Sequence, residues 1–263
     1  MSTELVGDPK FNSDIGVILP TYGEAENIAS LIEDIEDLPL SSSLLVIDDS
    51  SPDGTAEIVK NLQKKYNNIL LYTRPQKSGL GSAITDGFNI FLSSKTPPRF
   101  IVTMDADYSH NPETIPDLLS NMHPGCGIII GSRYCKGGKI TGWPLTRKII
   151  SQVANFIARI SFNFSVQDCT SGFRCYSSIF LKETLGTLRS QTYEIQIETI
   201  QQALLKHFSV EEVPITFVNR KLGKSKLTLT EIRGFFSYVL KTAAHGITNP
   251  QLKKISLNLK AGV

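Results

Sequence analysis

The chain has 263 residues, of which 41% are hydrophobic and 20% are charged, and its formal net charge is +2. This charge is too small for a protein held to nucleic acid by bulk electrostatics, so we expect no nucleic-acid partner. The four cysteines form no CxxC pair and have no histidine at zinc-finger spacing, which favours reduced structural thiols. The sequence contains no run of about 18 apolar residues, so it predicts no transmembrane helix.

Short β-branched runs alternate with helical periodicity up to about residue 132. Strands are predicted at 15–20, 44–48, 69–73, 100–104 and 127–132. Helices are predicted between them, at about 28–38, from Ser51 as N-cap, at 81–92 and from a cap at Asn111-Pro112. This alternation predicts an α/β fold, with a mostly parallel sheet and helices on both faces.

The alternation weakens after residue 140. The sequence predicts a helix beginning near Pro144, a polar loop at 168–176, a helix at 194–208 and a strand at 210–220. A basic loop and a C-terminal amphipathic helix at about 229–244 follow. The apolar stripe of this last helix either packs on the sheet or contacts a membrane or a membrane-bound partner.

The predicted organisation is a flexible leader at 1–13, one α/β domain at 14–245 and a basic tail at 246–263. Polar residues follow four successive strands of this domain, in PTYGE, DDSSPD, RPQKSG and DADYSH. Parallel sheets bind ligands beyond the carboxyl ends of their strands. We therefore expect a ligand site at that edge.

Two common phosphate-binding motifs are absent. No GxGxxG follows the first strand, and GKS at 223–225 lacks the first glycine of a P-loop. Asp105 and Asp107 instead form a DxD motif at the end of the fourth strand, and such paired carboxylates suit Mg²⁺ shared with a diphosphate. The alternative is that they only cap the next turn, although Asn111-Pro112 already provides a cap.

Several motifs resemble those of dolichyl-phosphate (polyprenyl-phosphate) mannose synthases, which are family 2 glycosyltransferases with the Rossmann-like GT-A fold. The resemblance covers roughly 14–245 and rests on PTYGEAEN, VIDDSSPDGT, SGLGSA, MDADYSHNPE, GSRYCKGG, RKIIS, DCTSGFRCY, YEIQIE and PITFVNRKLGKSKL. It implies metal-dependent, inverting transfer of mannose from GDP-mannose to dolichyl or another polyprenyl phosphate. The product would be a β-mannosyl phosphate used in glycosylation.

The resemblance also implies roles for individual residues on the donor side. The metal, Mg²⁺ or Mn²⁺, would be held by Asp105, Asp107 and Ser109. The donor nucleotide would contact Pro20, Tyr22, Glu24, Asp48 or Asp49, Lys77, Gly79, Asp105, Ala106, Asp107, Arg220 and Lys226. Asp53 would either take part directly or only favour a helix start, and Lys77 would either bind the nucleotide or lie in a solvated turn.

On the acceptor side, the resemblance assigns the lipid phosphate to Arg133, Arg147 and Ser151, and the catalytic roles to Asp107, Arg133 and Arg147. Arg220 and Lys226 would flank a loop that closes over the bound phosphates. The alternatives are that Arg147 is a solvated helix residue and that the loop between Arg220 and Lys226 is a generic surface turn.

The remaining polar residues have weaker assignments. Arg174 would brace the site or form a structural ion pair, and at most two of Glu194, Gln196 and Glu198 would face the sugar. An anionic phosphate oxygen needs no strong base, so the histidines can remain structural.

The implied partners are GDP-mannose, the polyprenyl phosphate and a membrane surface, with a small membrane-anchor subunit as a further possibility. The implied location is peripheral, on the cytoplasmic face of the endoplasmic reticulum in a eukaryote or of the plasma membrane in a prokaryote. Two rival functions remain open. One is a polyprenyl-phosphate glucosyltransferase that uses UDP-glucose, and the other is a non-catalytic subunit that binds a nucleotide sugar.

Overall fold

The structure is a computed structural model that describes residues 3–8, 13–220, 234–235, 237–239 and 242. Lys226, the predicted basic tail and much of the predicted last helix lie outside the described residues. The described part contains ten strands: β1 (Glu4–Val6), β2 (Ile15–Thr21), β3 (Ser42–Asp48), β4 (Ile69–Thr73), β5 (Phe100–Thr103), β6 (Cys126–Ser132), β7 (Lys139–Thr141), β8 (Arg174–Ser177), β9 (Ser209–Pro214) and β10 (Thr216–Val218).

Eight of these strands form one sheet, in the order β1-β4-β3-β2-β5-β8-β6-β9. The β4-β3-β2-β5 segment is parallel, and so is the β6-β9 pair, whereas β8 runs antiparallel to both of its neighbours. Strands β7 and β10 form a separate parallel pair. The predicted α/β fold with a mostly parallel sheet is confirmed.

Helices cover both faces of the sheet. They are α1 (Ile28–Glu36), α2 (Thr55–Leu62), α3 (Leu80–Leu92), α4 (Ile115–Ser120), α5 (Leu145–Phe162), α6 (Ser178–Thr184) and α7 (Ile195–Leu205). Successive strand residues point to opposite faces, so Val17 and Leu19 pack with α1, α2 and α4. Ile18 points the other way and packs with α3, α6 and α7. Phe235 and Val239, which fall within the predicted last helix, are buried in this second core.

Three local predictions were wrong. Helix α2 begins at Thr55 rather than after Ser51, because the Ser51 side chain binds Asp48 and Gly54 has a left-handed φ of 86°. Part of the predicted leader is ordered, since β1 pairs antiparallel with β4 at the sheet edge. The second half of the predicted polar loop at 168–176 is β8, a strand inside the sheet. Its polarity is misleading because Arg174 is fully buried and hydrogen-bonded.

Candidate active site

Two adjoining cavities lie at the carboxyl edge of β2, β3 and β5. The larger has a volume of about 610 Å³ and the smaller about 100 Å³. Both are lined by Asp105, Asp107 and Arg220, which therefore form the boundary between them. The edge predicted from the polar strand ends thus carries a two-part site.

The smaller cavity brings together most of the residues predicted to contact the nucleotide. Its lining includes Pro20, Tyr22, Glu24, Asp49, Lys77, Gly79, Asp105, Ala106, Asp107 and Arg220. The Lys77 ammonium lies 5.0 Å from the centre of the Tyr22 ring, a cation–π contact at the cavity wall. Gly79 has a φ of 100°, and a Cβ there would lie 2.4 Å from the Gln191 carbonyl oxygen, so a side chain is excluded.

The structure separates the two candidate aspartates at the end of β3. Asp48 is fully buried, accepts hydrogen bonds from Thr21 Oγ1 (3.0 Å) and the Ser51 backbone N–H (2.9 Å), and does not line the cavity. Asp49 lines it and forms an ion pair with buried Arg74, at 2.5 Å from Nη2. Asp48 therefore orders the loop after β3, and Asp49 is the one that can meet a ligand.

Asp53, whose role was left open, is bound to the protein itself. Its Oδ1 accepts from Thr55 Oγ1 at 2.6 Å, and its Oδ2 accepts from the Ala25 backbone N–H at 3.0 Å. Burial acts to raise the pKa of Asp53, but these hydrogen bonds outweigh it and lower the pKa. Asp53 joins the loops after β2 and β3 at the start of α2.

At the boundary between the cavities, Arg220 places a positive charge next to Asp107. Arg220 Nη2 lies 2.7 Å from Asp107 Oδ2, and the Ser109 backbone N–H donates to Asp107 Oδ1 at 3.0 Å. Burial acts to raise the pKa of Asp107, but contacts with Ser109 and the charge of Arg220 outweigh it and lower the pKa. Burial and the nearby Asp107 charge raise the pKa of Asp105.

His110 lies behind this pair as a neutral ring. Its Nδ1 accepts a hydrogen bond from the Asp105 backbone N–H at 3.2 Å, and the ring stacks on Phe173 at 5.0 Å. Burial lowers the pKa of His110 despite the neighbouring aspartates. A neutral His110 orients the DxD loop, which agrees with a structural role for this histidine.

The residues around Asp105 and Asp107 fit a hard divalent cation. Both side chains offer carboxylate oxygens, the ligand type that Mg²⁺ and Mn²⁺ prefer. The space next to Asp105 is kept open by Gly172, where a Cβ would lie 3.3 Å from Asp105 Oδ1. Ser109 is buried and contacts Asp107, so its direct contact with a metal stays a prediction.

Arg147 and Ser151 of α5 line the larger cavity. The Arg147 guanidinium lies 4.1 Å from the centre of the Trp143 ring, and its Nη1 donates to Asn219 Oδ1 at 3.2 Å. Burial, followed by the charges of Arg220 and Arg133, lowers the pKa of Arg147. The charges of Arg133 and Arg220 oppose the positive charge of Arg147, so an anion bound in this cavity would relieve that repulsion.

Arg133 also lines the larger cavity, but it is partly engaged. Its Nε and Nη2 each donate to the buried carboxylate of Asp168 at 2.7 Å, and Nη2 also donates to Thr170 Oγ1 at 2.7 Å. Burial acts to raise the pKa of Asp168, but the charge and hydrogen bonds of Arg133 outweigh it and lower the pKa. Sequence reasoning did not single out Asp168 or Trp143, although Asp168 begins the DCTSGFRCY motif.

Arg174 braces the wall of the larger cavity. Its guanidinium donates to the carbonyl oxygens of Ser171 (2.7 Å), Gln196 (2.7 Å) and Cys169 (2.9 Å), and to Thr199 Oγ1 (3.0 Å). One buried side chain therefore fixes the loop before β8 to the start of α7. These four hydrogen bonds run to carbonyl and hydroxyl oxygens, which is the arrangement that a bracing role would need.

The sequence matches a model of the glycosyl transferase family 2 over residues 16–194. The polyprenol monophosphomannose synthase of Mycolicibacterium smegmatis is 36% identical over 233 residues, covering 88% of this chain and 86% of that protein. The undecaprenyl-phosphate mannosyltransferase of Micrococcus luteus is 35% identical over 212 residues, covering 80% of this chain and 86% of that protein.

Solved structures show the same fold. The glucosyl-3-phosphoglycerate synthase of Mycobacterium tuberculosis, in complex with Mn²⁺, UDP-glucose and phosphoglyceric acid, matches with a TM-score of 0.64 at 18% identity, over 90% of this chain and 81% of that one. A mannosyltransferase from Pyrobaculum calidifontis, in complex with GDP-Man and Mn²⁺, matches with a TM-score of 0.56 at 13% identity. The match covers 98% of this chain and 78% of that one. The predicted GT-A fold is confirmed. Since the family model and both relatives cover most of the sequence, this chain belongs to the family 2 glycosyltransferases.

Proposed function

We propose that this glycosyltransferase moves mannose from GDP-mannose to the phosphate of a polyprenol such as dolichol. The observation that carries the proposal is the pair of adjoining cavities, which share Asp105, Asp107 and Arg220. The smaller cavity carries residues predicted to contact the nucleotide, and the arginine-lined one suits a second phosphate. The names of the two similar mannosyl-transferring proteins support the choice of sugar and acceptor.

The reaction needs positioning and charge neutralisation more than proton transfer. An acceptor phosphate oxygen would attack the anomeric carbon while the bond to the leaving diphosphate breaks, with inversion to a β-linked product. A bound Mg²⁺ or Mn²⁺, held by Asp105 and Asp107, would supply positive charge next to the leaving group. Arg147 would orient the acceptor phosphate, and Arg133 and Arg220 would reduce repulsion between the two anions.

A direct assay tests this function. The protein is given radiolabelled GDP-mannose or UDP-glucose with polyprenyl phosphate, with and without Mg²⁺. We expect mannose transfer that depends on the metal and is lost in Asp107→Ala. Transfer only from UDP-glucose would reject the mannose assignment in favour of the glucosyltransferase, and unchanged transfer by Asp107→Ala would reject the catalytic role.

Helix α5 supports a peripheral membrane surface as the partner. Its exposed apolar residues form a stripe: Leu145, Ile149, Ile150, Val153, Phe156 and Ile160, with exposures between 44% and 72%. The helix contains Arg147, Lys148 and Arg159 and no acidic residue, a composition that suits an interface with anionic lipid. Arg147 and Ser151 on the same helix line the larger cavity, so the stripe would lie next to the lipid phosphate. No helix in the described ranges has the length and apolarity to cross a bilayer.

Vesicle binding tests this surface. The double variant Phe156→Glu with Ile160→Glu should reduce co-sedimentation with anionic phospholipid vesicles at least tenfold, since it removes two exposed apolar side chains. Ile179→Glu is a matched control, because Ile179 is 69% exposed but belongs to α6. If the double variant and the control bind vesicles equally well, α5 is not the membrane face.

A further inference from the structure

The amide of Gln196 is a buried polar group without a partner. Gln196 is the second residue of α7 and is 2% exposed. Neither Oε1 nor Nε2 makes a hydrogen bond. A buried amide without partners destabilises the folded protein relative to one that is satisfied, so its retention calls for a physical reason.

The two acidic neighbours of Gln196 on the same helix start are already engaged. Glu198 accepts hydrogen bonds from the backbone N–H groups of Arg189 and Ser190, both at 2.8 Å. Glu194 accepts from the Thr192 hydroxyl. Of these three side chains, Gln196 is the one whose polar atoms are buried without a hydrogen bond.

Gln196 lies at the wall of the larger cavity, opposite the DxD motif. A Cβ on Gly172 would lie 3.7 Å from Gln196 Nε2 and 3.3 Å from Asp105 Oδ1, so the missing side chain keeps the space between them open. The main chain of Gln196 is fixed independently, since its carbonyl accepts from Arg174 Nη1 at 2.7 Å. The backbone of Gln196 is therefore anchored without using the polar atoms of its side chain.

We propose that Gln196 recognises hydroxyl groups of the hexose being transferred. The hexose is bonded to the diphosphate and attacked by the acceptor phosphate, so it must lie between Asp105 and Arg147. Gln196 lines the same cavity as both. One amide offers an N–H donor and a carbonyl acceptor, which suits two neighbouring hydroxyls of a sugar. This assignment rests on the proposed function and makes Gln196 a specificity-determining residue.

The test uses Gln196→Met, which keeps the length of the side chain and removes its polar atoms. In the absence of ligand, we expect the melting temperature to stay the same or rise, because two unsatisfied atoms are lost. Affinity for GDP should stay within about twofold, whereas the affinity for GDP-mannose and the kcat/KM for this donor should fall about 10- to 100-fold. Gln202→Met, on the same helix but away from both cavities, is the control and should change none of these values.

Two results would overturn the assignment. One is a Gln196→Met variant that keeps the full preference for GDP-mannose over GDP. The other is a melting temperature several degrees below wild type in both Gln196→Met and Gln196→Leu. That result would mean that the amide stabilises the folded protein. Measuring UDP-glucose and UDP in parallel separates this proposal from the function itself. A wild type that transfers no mannose rejects the proposed function, while its hexose-dependent affinity, compared with that of the variant, still reports on Gln196.

Discussion

Replacing Arg147 by alanine should weaken the lipid acceptor far more than the nucleotide. The guanidinium is half-buried, lies 4.1 Å from the Trp143 ring centre and uses Nη1 for one hydrogen bond to Asn219. Each charge-assisted hydrogen bond to a phosphate oxygen contributes about 1.5–3 kcal/mol. Two such bonds, reduced by solvent screening and by relief of repulsion from Arg133 and Arg220, leave roughly 2–4 kcal/mol. This corresponds to about a 30- to 1,000-fold loss in kcat/KM for the acceptor.

The assay varies polyprenyl phosphate in detergent at saturating GDP-mannose, and measures GDP binding separately by calorimetry. Arg147→Lys should fall between wild type and Arg147→Ala, because lysine keeps the charge but loses the planar fork. Lys182→Ala is the matched control, since it removes the same charge from an exposed residue of α6, outside both cavities. Equal losses of acceptor and GDP binding in Arg147→Ala, or an equal effect of Lys182→Ala, would refute the assignment.

Three further changes test the ion pairs and the brace of the site. Arg220→Gln should strengthen Mn²⁺ binding several-fold in the absence of nucleotide, because it removes the cation 2.7 Å from Asp107, and weaker binding in a calorimetric titration would contradict this. Arg174→Met should lower the free energy of unfolding by about 3–5 kcal/mol, measured by urea denaturation, because three carbonyl groups lose their buried donor. Asp168 has a lowered pKa, so its stabilisation is present above the ordinary value of 3.8 and is lost as pH falls through the folded value. Between pH 5 and 3 the melting temperature of Asp168→Asn should therefore fall less than that of wild type, and parallel curves would argue against the Arg133 pair as the cause.

The parallel half of the fold was predictable from the sequence, because its signals are local. The buried runs of β2 to β6 are β-branched and end in polar residues, and the intervening helices show apolar periodicity. Strand β8 was missed because its first residue is Arg174, whose burial depends on carbonyl acceptors that come together only in the folded chain. A single-sequence pattern does not contain that information.

The candidate site, like the fold, was predictable only where the signal is local in the sequence. Residues that follow strand ends, such as Asp49 and Asp105, were predicted because the topology of a parallel sheet places them together. The partner of each charge was not predictable. The Arg220 and Asp107 pair is separated by 113 positions in the sequence, and the Arg133 and Asp168 pair by 35. Their pairing is a property of the cavity walls, and it decides which charges remain available for a ligand.

The charge balance of the cavity boundary suggests an order for ligand binding. Asp107 forms an ion pair with Arg220, and Arg147 lies near two further cations. A divalent cation at the aspartates would compete with Arg220 for Asp107, and the released guanidinium could then neutralise the donor diphosphate. With the metal and the diphosphate bound, Arg147 would still be repelled by the neighbouring positive charges. An acceptor phosphate next to Arg147 would relieve that repulsion. Donor and metal would therefore bind first, since Arg220 pairs with Asp107 and becomes a phosphate-binding group only after the metal has taken its place.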